Sequence, residues 1–374
     1  MWGTDLFPTQ LVGSYVKPKW LADHNKVYAK EGTWWSLPTE QLQAGIDDAV
    51  RLAIYEQNMA GITFATDGEV RRQTFSGHFY TLKGIDQENP AEFTNFQNDI
   101  TDYLKMKQKA TNVGADLKKV EEGAKPKEPM KVLFPAVREK IEWPGPMVVS
   151  DIPFLKRYAN KRTKITVIGP VTLSYRLVDT GVYANQAELC FAIADALNKE
   201  LKALAAAGVD LIQIDEPEVH FRYSQCNQFT VEAINRMIKD VPCLTSVHVC
   251  YGYSKNIALK EPSPIYPKAV RLIAETNVNA IHTEYAQPGH TPVFLQSVGN
   301  KDVAIGVLNL DPQGEVEEIE AIRKLIIDAM QVIPKERISL APDCGMWFLD
   351  REFAFRKMRS MCLAAESLRN QFGY

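Results

Sequence analysis

Short apolar runs rich in β-branched residues alternate along the chain with longer segments whose apolar residues recur at helical spacing. A short run of this kind that stops at a polar residue or a glycine is typical of a buried strand. Eight such runs predict strands at residues 7–14, 62–66, 165–168, 210–214, 245–249, 279–283, 304–309 and 338–341.

Helices are predicted between most of these strands. Residues 39–60 give the clearest pattern, and Gly61 supplies the stop signal. A capping pattern at Asn185 begins an Ala- and Leu-rich helix, and helical periods recur at 316–332 and 352–372. The apolar face predicted for the first of these helices consists of Leu42, Ile46, Ala49, Val50, Ala53 and Ile54.

The alternation of strands and helices predicts an α/β fold, namely a single (β/α)8 TIM barrel over residues 1–374. Residues 75–164 separate the second and third predicted strands with more chain than a crossover needs, so we predict an insertion there. Its centre, residues 116–129, has mixed charge and is interrupted by Gly and Pro. We predict a solvated hairpin tip or arm at this centre, and a lid or partner contact is the alternative.

The composition is that of a globular protein. Of 374 residues, 45% are hydrophobic and 24% are charged, which is enough to bury a large core. A formal net charge of −3 argues against general affinity for nucleic acid or anionic membranes. The six cysteines are irregularly spaced, and the chain contains neither an apolar signal stretch at its start nor an apolar run of bilayer length. We therefore expect a cytoplasmic protein with small-molecule or protein partners.

Residues of chemical interest follow the predicted strands rather than scattering along the chain. In a parallel barrel, the carboxyl ends of the strands meet at one mouth, where catalytic groups gather. The pattern therefore predicts one site at that mouth. The strand-end residues are Ser14, Glu69, Asp215, His248, Cys250, Glu284, Asp311 and Cys344.

Four of these residues form a candidate zinc site. His248 and Cys250 are two apart in an extended segment, so their side chains point the same way. With Glu284 and Cys344 they supply one imidazole, two thiolates and one carboxylate, a chemically sensible set for Zn²⁺. The alternative is plain core packing, which commonly explains a lone His or Cys beside an apolar strand.

Four segments together resemble the catalytic half of cobalamin-independent methionine synthases. They are residues 7–14 (FPTQLVGS), 212–217 (IQIDEP), 248–251 (HVCY) and 342–345 (PDCG). Those enzymes are built from two related barrels, and this chain resembles the carboxyl-terminal barrel, which the short "core" members of the family also possess. The resemblance extends over almost the whole length and is weakest in the insertion.

The resemblance implies a zinc-dependent methyl transfer to the thiol of homocysteine, forming methionine. It makes His248, Cys250, Glu284 and Cys344 the zinc ligands. It also makes Val12, Ser14, Glu69 and Asp215 the residues that hold the amino acid part of homocysteine. Physically, two carboxylates suit an ammonium group, although Glu69 and Asp215 would equally suit Arg71 or Arg72, and Ser14 would equally suit a simple turn.

The chain departs from the family on the side of the methyl donor. On that side the family has an aromatic residue, an acid and a proton-donating His. In an alignment without gaps, this chain has Arg176, Phe221 and Asp311, respectively, at those positions. If the alignment shifts by one residue, Tyr175 or His220 would occupy the first or second of these positions. Asp311 is the candidate catalytic acid, but it would need a raised pKa to protonate a folate nitrogen. We therefore expect another donor, such as a methyl-corrinoid, presented by a partner protein.

Two further functions remain open. A thiol alkyltransferase like epoxyalkane:coenzyme M transferase would keep the zinc and the barrel but bind a sulfonate, for which Arg71, Arg72 and Arg176 would be suitable partners. A non-catalytic zinc-binding barrel acting as a subunit is the third hypothesis. Retention of both Glu69 and Asp215 favours an amino acid acceptor over these alternatives.

Overall fold

The computed structural model of the chain describes residues 5–23, 26, 34–103, 132–252 and 260–373. Its centre is a curled sheet of seven parallel strands in the order β1-β4-β6-β7-β8-β9-β10. Most of these strands are buried along their whole length, as expected for a parallel sheet covered on both faces. The strands are β1 (Phe64–Ala65), β4 (Arg162–Ile168), β6 (Leu211–Asp215), β7 (Leu244–Val249), β8 (Ala280–Thr283), β9 (Asp302–Leu308) and β10 (Ile338–Pro342).

Seven of the eight predicted strands are confirmed, with ends that differ by a few residues at most. The exception is residues 7–14, which form isolated bridges instead of a strand. Thr9 bridges Leu340 in β10, and Gln10 bridges Phe64 in β1, so this segment contacts both edges of the sheet. The backbone hydrogen bonds are regular, since the N–H of Gln10 donates to the carbonyl of Leu340 at 3.0 Å and that of Phe64 donates to the carbonyl of Thr9 at 3.0 Å.

Helices connect the strands and contact the sheet. The predicted helix at residues 39–60 is confirmed, and Gly61 ends it in the left-handed region at φ 97°. The side chain of Asn185 caps another helix by accepting from the N–H of Glu188 at 3.0 Å. The helices are α1 (Thr39–Ala60), α2 (Asp151–Tyr158), α3 (Pro170–Ser174), α4 (Gln186–Ala206), α5 (Pro217–Phe221), α6 (Tyr223–Met237), α7 (Tyr266–Ala274), α8 (Ile319–Ala329) and α9 (Arg351–Gln371).

Between β1 and β4 the chain leaves the main sheet and forms two strands of a second, three-stranded sheet, and the third strand follows β4. Strands β2 (Lys83–Phe93) and β3 (Val132–Glu142) pair as an antiparallel hairpin, and β5 (Val178–Asp179) pairs with β3 in parallel. The tip predicted at residues 116–129 lies outside the described residues. In the part of the chain that the structure describes, no helix is both long and apolar enough to span a bilayer.

Candidate active site

His248, Cys250, Glu284 and Cys344 come together at the carboxyl ends of β7, β8 and β10. One candidate ligand atom from each side chain lies within 4.8 Å of those of the other three, and all four residues are buried. The sulfur atoms of Cys250 and Cys344 are 3.3 Å apart although the residues are 94 positions apart in the chain. The fold therefore assembles the four residues that the sequence singled out.

The chemistry of this group fits a metal ion. Among the described residues, neither ring nitrogen of His248 has a hydrogen-bond partner with good geometry. Burial lowers the pKa of His248 to about 3, so its imidazole is neutral and available as a nitrogen ligand. Contact with Cys344, followed by burial, raises the pKa of the Cys250 thiol well above its ordinary value. A bound cation would reverse that shift, because a coordinated thiol is deprotonated.

The carboxylate of Glu284 is held from both sides. The backbone N–H of Tyr251 donates to Oε1 at 2.7 Å, and the ammonium of Lys260 donates to Oε2 at 2.7 Å. Burial acts to lower the pKa of Lys260, but attraction to Glu284, Cys344 and Cys250 outweighs it and leaves the pKa above its ordinary value. Sequence reasoning missed Lys260, because it lies ten residues beyond Cys250 in a segment without a strand or helix pattern.

A cavity of about 150 Å³ connects the candidate ligands with the candidate substrate residues. Val12, Glu69 and Asp215 line it together with His248, Cys250 and Cys344, and Asp215 lies beside His248 in the register of β6 and β7. A second chamber of about 120 Å³, lined by Ser14, shares three wall residues with the first. The residues that line the first cavity are Val12, Glu69, Phe75, Arg176, Asp215, Pro217, Phe221, His248, Cys250, Gly252 and Cys344.

Glu69 is held in an uncommon backbone conformation. Its φ of 52° lies in the left-handed region, which a side chain other than Asn, Asp or Gly rarely adopts. Lys17 donates to its carbonyl at 3.0 Å, and its own N–H donates to Asp67 at 3.0 Å. The hydroxyl of Thr166 donates to Oε1 at 2.7 Å. These contacts fix the direction in which the Glu69 carboxylate enters the cavity.

Arg71 and Arg72, the alternative partners considered for Glu69 and Asp215, make different contacts. Arg71 forms ion pairs with Asp47 and Asp151, away from the cavity. Arg72 is 4.0 Å from Glu69 but donates its hydrogen bonds to the hydroxyl and carbonyl oxygens of Thr166 at 2.9 and 2.8 Å. A tight structural ion pair therefore does not account for the position of Glu69.

Gln213 orients the groups on the floor of the cavity. Its Nε2 donates to the carbonyl of Val12 at 2.8 Å and to the carboxylate of Asp215 at 2.6 Å. Its Oε1 accepts from the buried ammonium of Lys164 at 2.5 Å, and Lys164 also donates to the carbonyl of Leu11 at 2.6 Å. The ammonium fixes which end of the amide faces Asp215. Sequence reasoning missed Gln213 and Lys164. The signals were a polar residue inside the apolar run at 210–214 and a lysine directly before the run at 165–168.

Burial raises the pKa of Asp215 to about 8, and the charge of Glu69 adds to the effect, whereas Gln213 and Lys164 oppose it. Burial lowers the pKa of Lys164 to about 7 against the attraction of Asp215 and Glu69. The cavity therefore favours a ligand with a cationic group, because a positive charge next to Asp215 would stabilise the ionised carboxylate.

Glu216, next to Asp215 in the chain, accepts hydrogen bonds from the first turn of α3. Its Oε1 accepts from the N–H of Val171 at 2.9 Å, and its Oε2 accepts from the N–H and hydroxyl of Thr172 at 2.8 and 2.6 Å. A Cβ atom at Gly169 would collide with this carboxylate, so a glycine is required there. The acid next to Asp215 therefore has a structural function, which sequence reasoning did not assign.

Of the residues considered for the methyl-donor side, some line the cavities and others do not. Arg176 and Phe221 line the first cavity. Tyr175 and His220 do not line either cavity, and His220 is buried, with its Nδ1 3.3 Å from the carbonyl oxygen of Cys250. Asp311 also lines neither cavity, and its Oδ1 accepts from the N–H of Gln313 at 3.0 Å in a local turn.

Fold and site together define an α/β protein with a thiol-rich candidate metal centre at the carboxyl ends of parallel strands. A sequence model described as the catalytic domain of cobalamin-independent synthases matches residues 111–367. The chain therefore belongs to the cobalamin-independent methionine synthase family, and the resemblance inferred from the four motifs is confirmed.

Relatives in this family are similar over nearly their whole length. The chain is 28% identical to a methionine synthase of Sulfurisphaera tokodaii over 98% of this chain and 94% of that protein. It is 29% identical to one of Saccharolobus solfataricus over 98% and 96%. The solved B12-independent methionine synthase of Shewanella sp. W3-18-1, in complex with selenomethionine, superposes with a TM-score of 0.80 at 26% identity, covering 98% of this chain and 99% of that one.

Proposed function

We propose that this protein is a zinc-dependent methyltransferase that methylates the thiol of homocysteine to form methionine. The observation that carries the proposal is one cavity lined both by three of the four candidate metal ligands, His248, Cys250 and Cys344, and by two buried carboxylates, those of Glu69 and Asp215. The names of the two archaeal relatives and of the Shewanella enzyme support the same reaction.

His248, Cys250, Glu284 and Cys344 are the proposed zinc ligands. Two sulfur ligands, a neutral imidazole nitrogen and one carboxylate oxygen are typical of Zn²⁺ and are a poor match for Mg²⁺ or Ca²⁺. When bound, zinc would stabilise the thiolate form of an acceptor thiol, whose ordinary pKa of about 8.5 leaves it mostly protonated at neutral pH. Glu284 is the proposed labile ligand, because a carboxylate is the hardest member of the set.

Val12, Glu69 and Asp215, which line the same cavity, would hold the amino acid part of homocysteine. We assign the ammonium to Glu69 and Asp215 through charge-assisted hydrogen bonds, and to the carbonyl of Val12, which Gln213 orients. Ser14, in the adjoining chamber, would bind the substrate carboxylate. The selenomethionine named for the Shewanella relative is an amino acid of the same length as the product, which supports this orientation.

For the methyl donor we propose a carrier other than a methylated folate. A methyl-corrinoid has a good leaving group and needs no proton donor, which agrees with the position of Asp311 outside both cavities. Arg176 and Phe221, which line the cavity, would then face the donor or a partner protein that delivers it. Asp311 as a catalytic acid stays a prediction.

We also propose that residues 1–374 form one domain in which residues 7–14 are the first of eight strands and complete a closed (β/α)8 barrel. The two bridges of Thr9 and Gln10 to the edge strands support the closure. Residues 75–164, which include the β2–β3 hairpin, would be the insertion. Cytoplasmic location stays a prediction.

A second candidate function is a zinc-dependent thiol alkyltransferase of the coenzyme M type. The observation that favours it is Arg176, which lines both cavities and would suit a sulfonate. The two buried carboxylates favour homocysteine, because they would repel a sulfonate held near them.

Zinc-edge X-ray absorption with homocysteine and with coenzyme M, in separate samples, tests the proposal. We expect a new sulfur neighbour of the metal with homocysteine. A new sulfur neighbour with coenzyme M alone would favour the second candidate, and no change with either thiol would indicate a non-catalytic metal site. Assays with methylcobalamin and methyltetrahydrofolate would then identify the donor.

A further inference from the structure

Lys260 forms a buried ion pair with Glu284. Its Nζ is 2.7 Å from Oε2, and the side chains of Lys260 and Glu284 are 2% and 0% exposed. A buried ion pair is costly to desolvate, and removing one partner leaves the other charge uncompensated. Nothing assigned so far to the reaction explains why a lysine lies against a candidate metal ligand.

The charge balance of the site gives Lys260 a function. Two thiolates and the carboxylate of Glu284 carry one negative charge more than a divalent metal neutralises, because an imidazole that binds a metal is neutral. Lys260 restores neutrality. An acceptor that binds as a thiolate then adds another negative charge to a buried site, where opposite charges interact more strongly than in water.

Both carboxylate oxygens of Glu284 have hydrogen-bond donors within the protein, the N–H of Tyr251 and the ammonium of Lys260. A carboxylate displaced by an incoming sulfur would therefore keep two hydrogen bonds instead of becoming a buried unpaired charge. Asp343, the acid next to Cys344, is satisfied by the backbone N–H groups of residues 285–287 and does not compete for Lys260.

We propose that Lys260 is a positioning residue that favours binding of the acceptor in its thiolate form. With Lys260 the thiolate-bound site would carry one net negative charge instead of two, and the ammonium would hold Glu284 if an incoming sulfur displaced that carboxylate. This inference rests on the proposed function. Metal uptake itself should depend little on Lys260, since binding a divalent cation with loss of two thiol protons leaves the net charge of the site unchanged.

The test compares Lys260→Met with Lys260→Arg in the zinc-loaded protein. Calorimetric titration with homocysteine, in two buffers of different ionisation enthalpy, measures the dissociation constant and the protons released as the thiol ionises. We expect Lys260→Met to raise the dissociation constant about tenfold or more and to reduce proton release, and Lys260→Arg to restore both towards wild type.

Lys357→Met is the matched control. Lys357 is 1% exposed and pairs with Glu317 at 2.8 Å, yet it lines neither cavity of the candidate active site. This variant should lose stability but keep the wild-type dissociation constant. It separates the general cost of losing a buried lysine from an effect on thiol binding.

Three outcomes have distinct meanings. If Lys260→Met binds homocysteine as tightly as wild type, with the same proton release, the inference is wrong. If Lys260→Met purifies without zinc while Lys357→Met retains it, Lys260 is needed to retain the metal, and the inference is also overturned. If wild type itself does not bind homocysteine, the proposed function fails, independently of Lys260.

Discussion

The amide of Gln213 donates a 2.6 Å hydrogen bond to the carboxylate of Asp215, two residues further along the same strand. Alternate residues of a strand point to the same face, so both side chains enter the interior of the curled sheet. The ammonium of Lys164 holds the other end of the amide at 2.5 Å. A polar chain therefore runs from the interior of the sheet to the proposed substrate cavity.

Gln213→Leu should weaken homocysteine binding. The substitution removes the donor to Asp215 and to the carbonyl of Val12, and it deprives Lys164 of an acceptor. Loss of a buried hydrogen bond costs about 1–3 kcal/mol, so we expect KM for homocysteine to rise about tenfold or more, with a smaller effect on kcat. Steady-state kinetics check this. A KM within twofold of wild type would show that Gln213 does not orient the substrate site.

Cys344→Ser should prevent stoichiometric zinc binding and abolish metal-dependent turnover. A serine hydroxyl remains protonated at neutral pH and is a poor substitute for a thiolate, and the 3.3 Å contact with Cys250 would be lost. Metal content by mass spectrometry and activity after zinc addition measure the effect. Cys190→Ser is the control, because Cys190 is buried within α4 and is not part of the metal-binding group. Retained activity in Cys344→Ser would remove this residue from the ligand set.

Asp151→Asn should change the pH dependence of stability. Burial, helped by Asp67, raises the pKa of Asp151 from 3.8 to about 6, although Arg72 and Arg71 oppose the shift. Between these pKa values the folded state binds more protons than the unfolded state. The contribution of Asp151 to the free energy of unfolding therefore decreases as pH rises from about 4 to 6.

The free energy of unfolding of Asp151→Asn minus that of wild type should therefore increase by roughly 1–3 kcal/mol as pH rises through that window. Urea unfolding at pH 4 and pH 6.5 measures the difference. A constant difference between the two proteins would mean that Asp151 titrates as it does in the unfolded chain.

Gly169→Ala should be strongly destabilising. The added Cβ would collide with the carboxylate of Glu216, which accepts from the backbone N–H groups of Val171 and Thr172 at the start of α3. Overpacking of this kind typically costs about 1–3 kcal/mol, and displacing a buried carboxylate from its donors adds to the loss. Gly314→Ala is the control, because its nearest atoms lie 3.2 and 3.4 Å from an added Cβ. Equal thermal unfolding temperatures for the two variants would contradict the prediction.

Local signals were sufficient to predict most of the secondary structure. The apolar runs at residues 210–214 and 245–249 differ from β6 and β7 by one residue at each end or less, and Gly61 ends α1 where predicted. Residues 7–14 were predicted as a strand but form isolated bridges, because a chain segment can bridge two sheet edges without forming a ladder with either one. The pattern of apolar residues cannot distinguish these two arrangements.

By itself, the sequence determined the family, the strand order along the chain and the four candidate metal ligands. The signals behind these results are local, because each strand end and each short motif can be recognised from residues that are neighbours in the chain. Only the tertiary structure decided the partners of those residues. Lys164 reaches Leu11 across 153 positions and Gln213 reaches Val12 across 201, and Asp311 lies outside the cavities that its strand-end position suggested it would join. Contacts between distant segments depend on how the sheet curls, which local patterns do not encode.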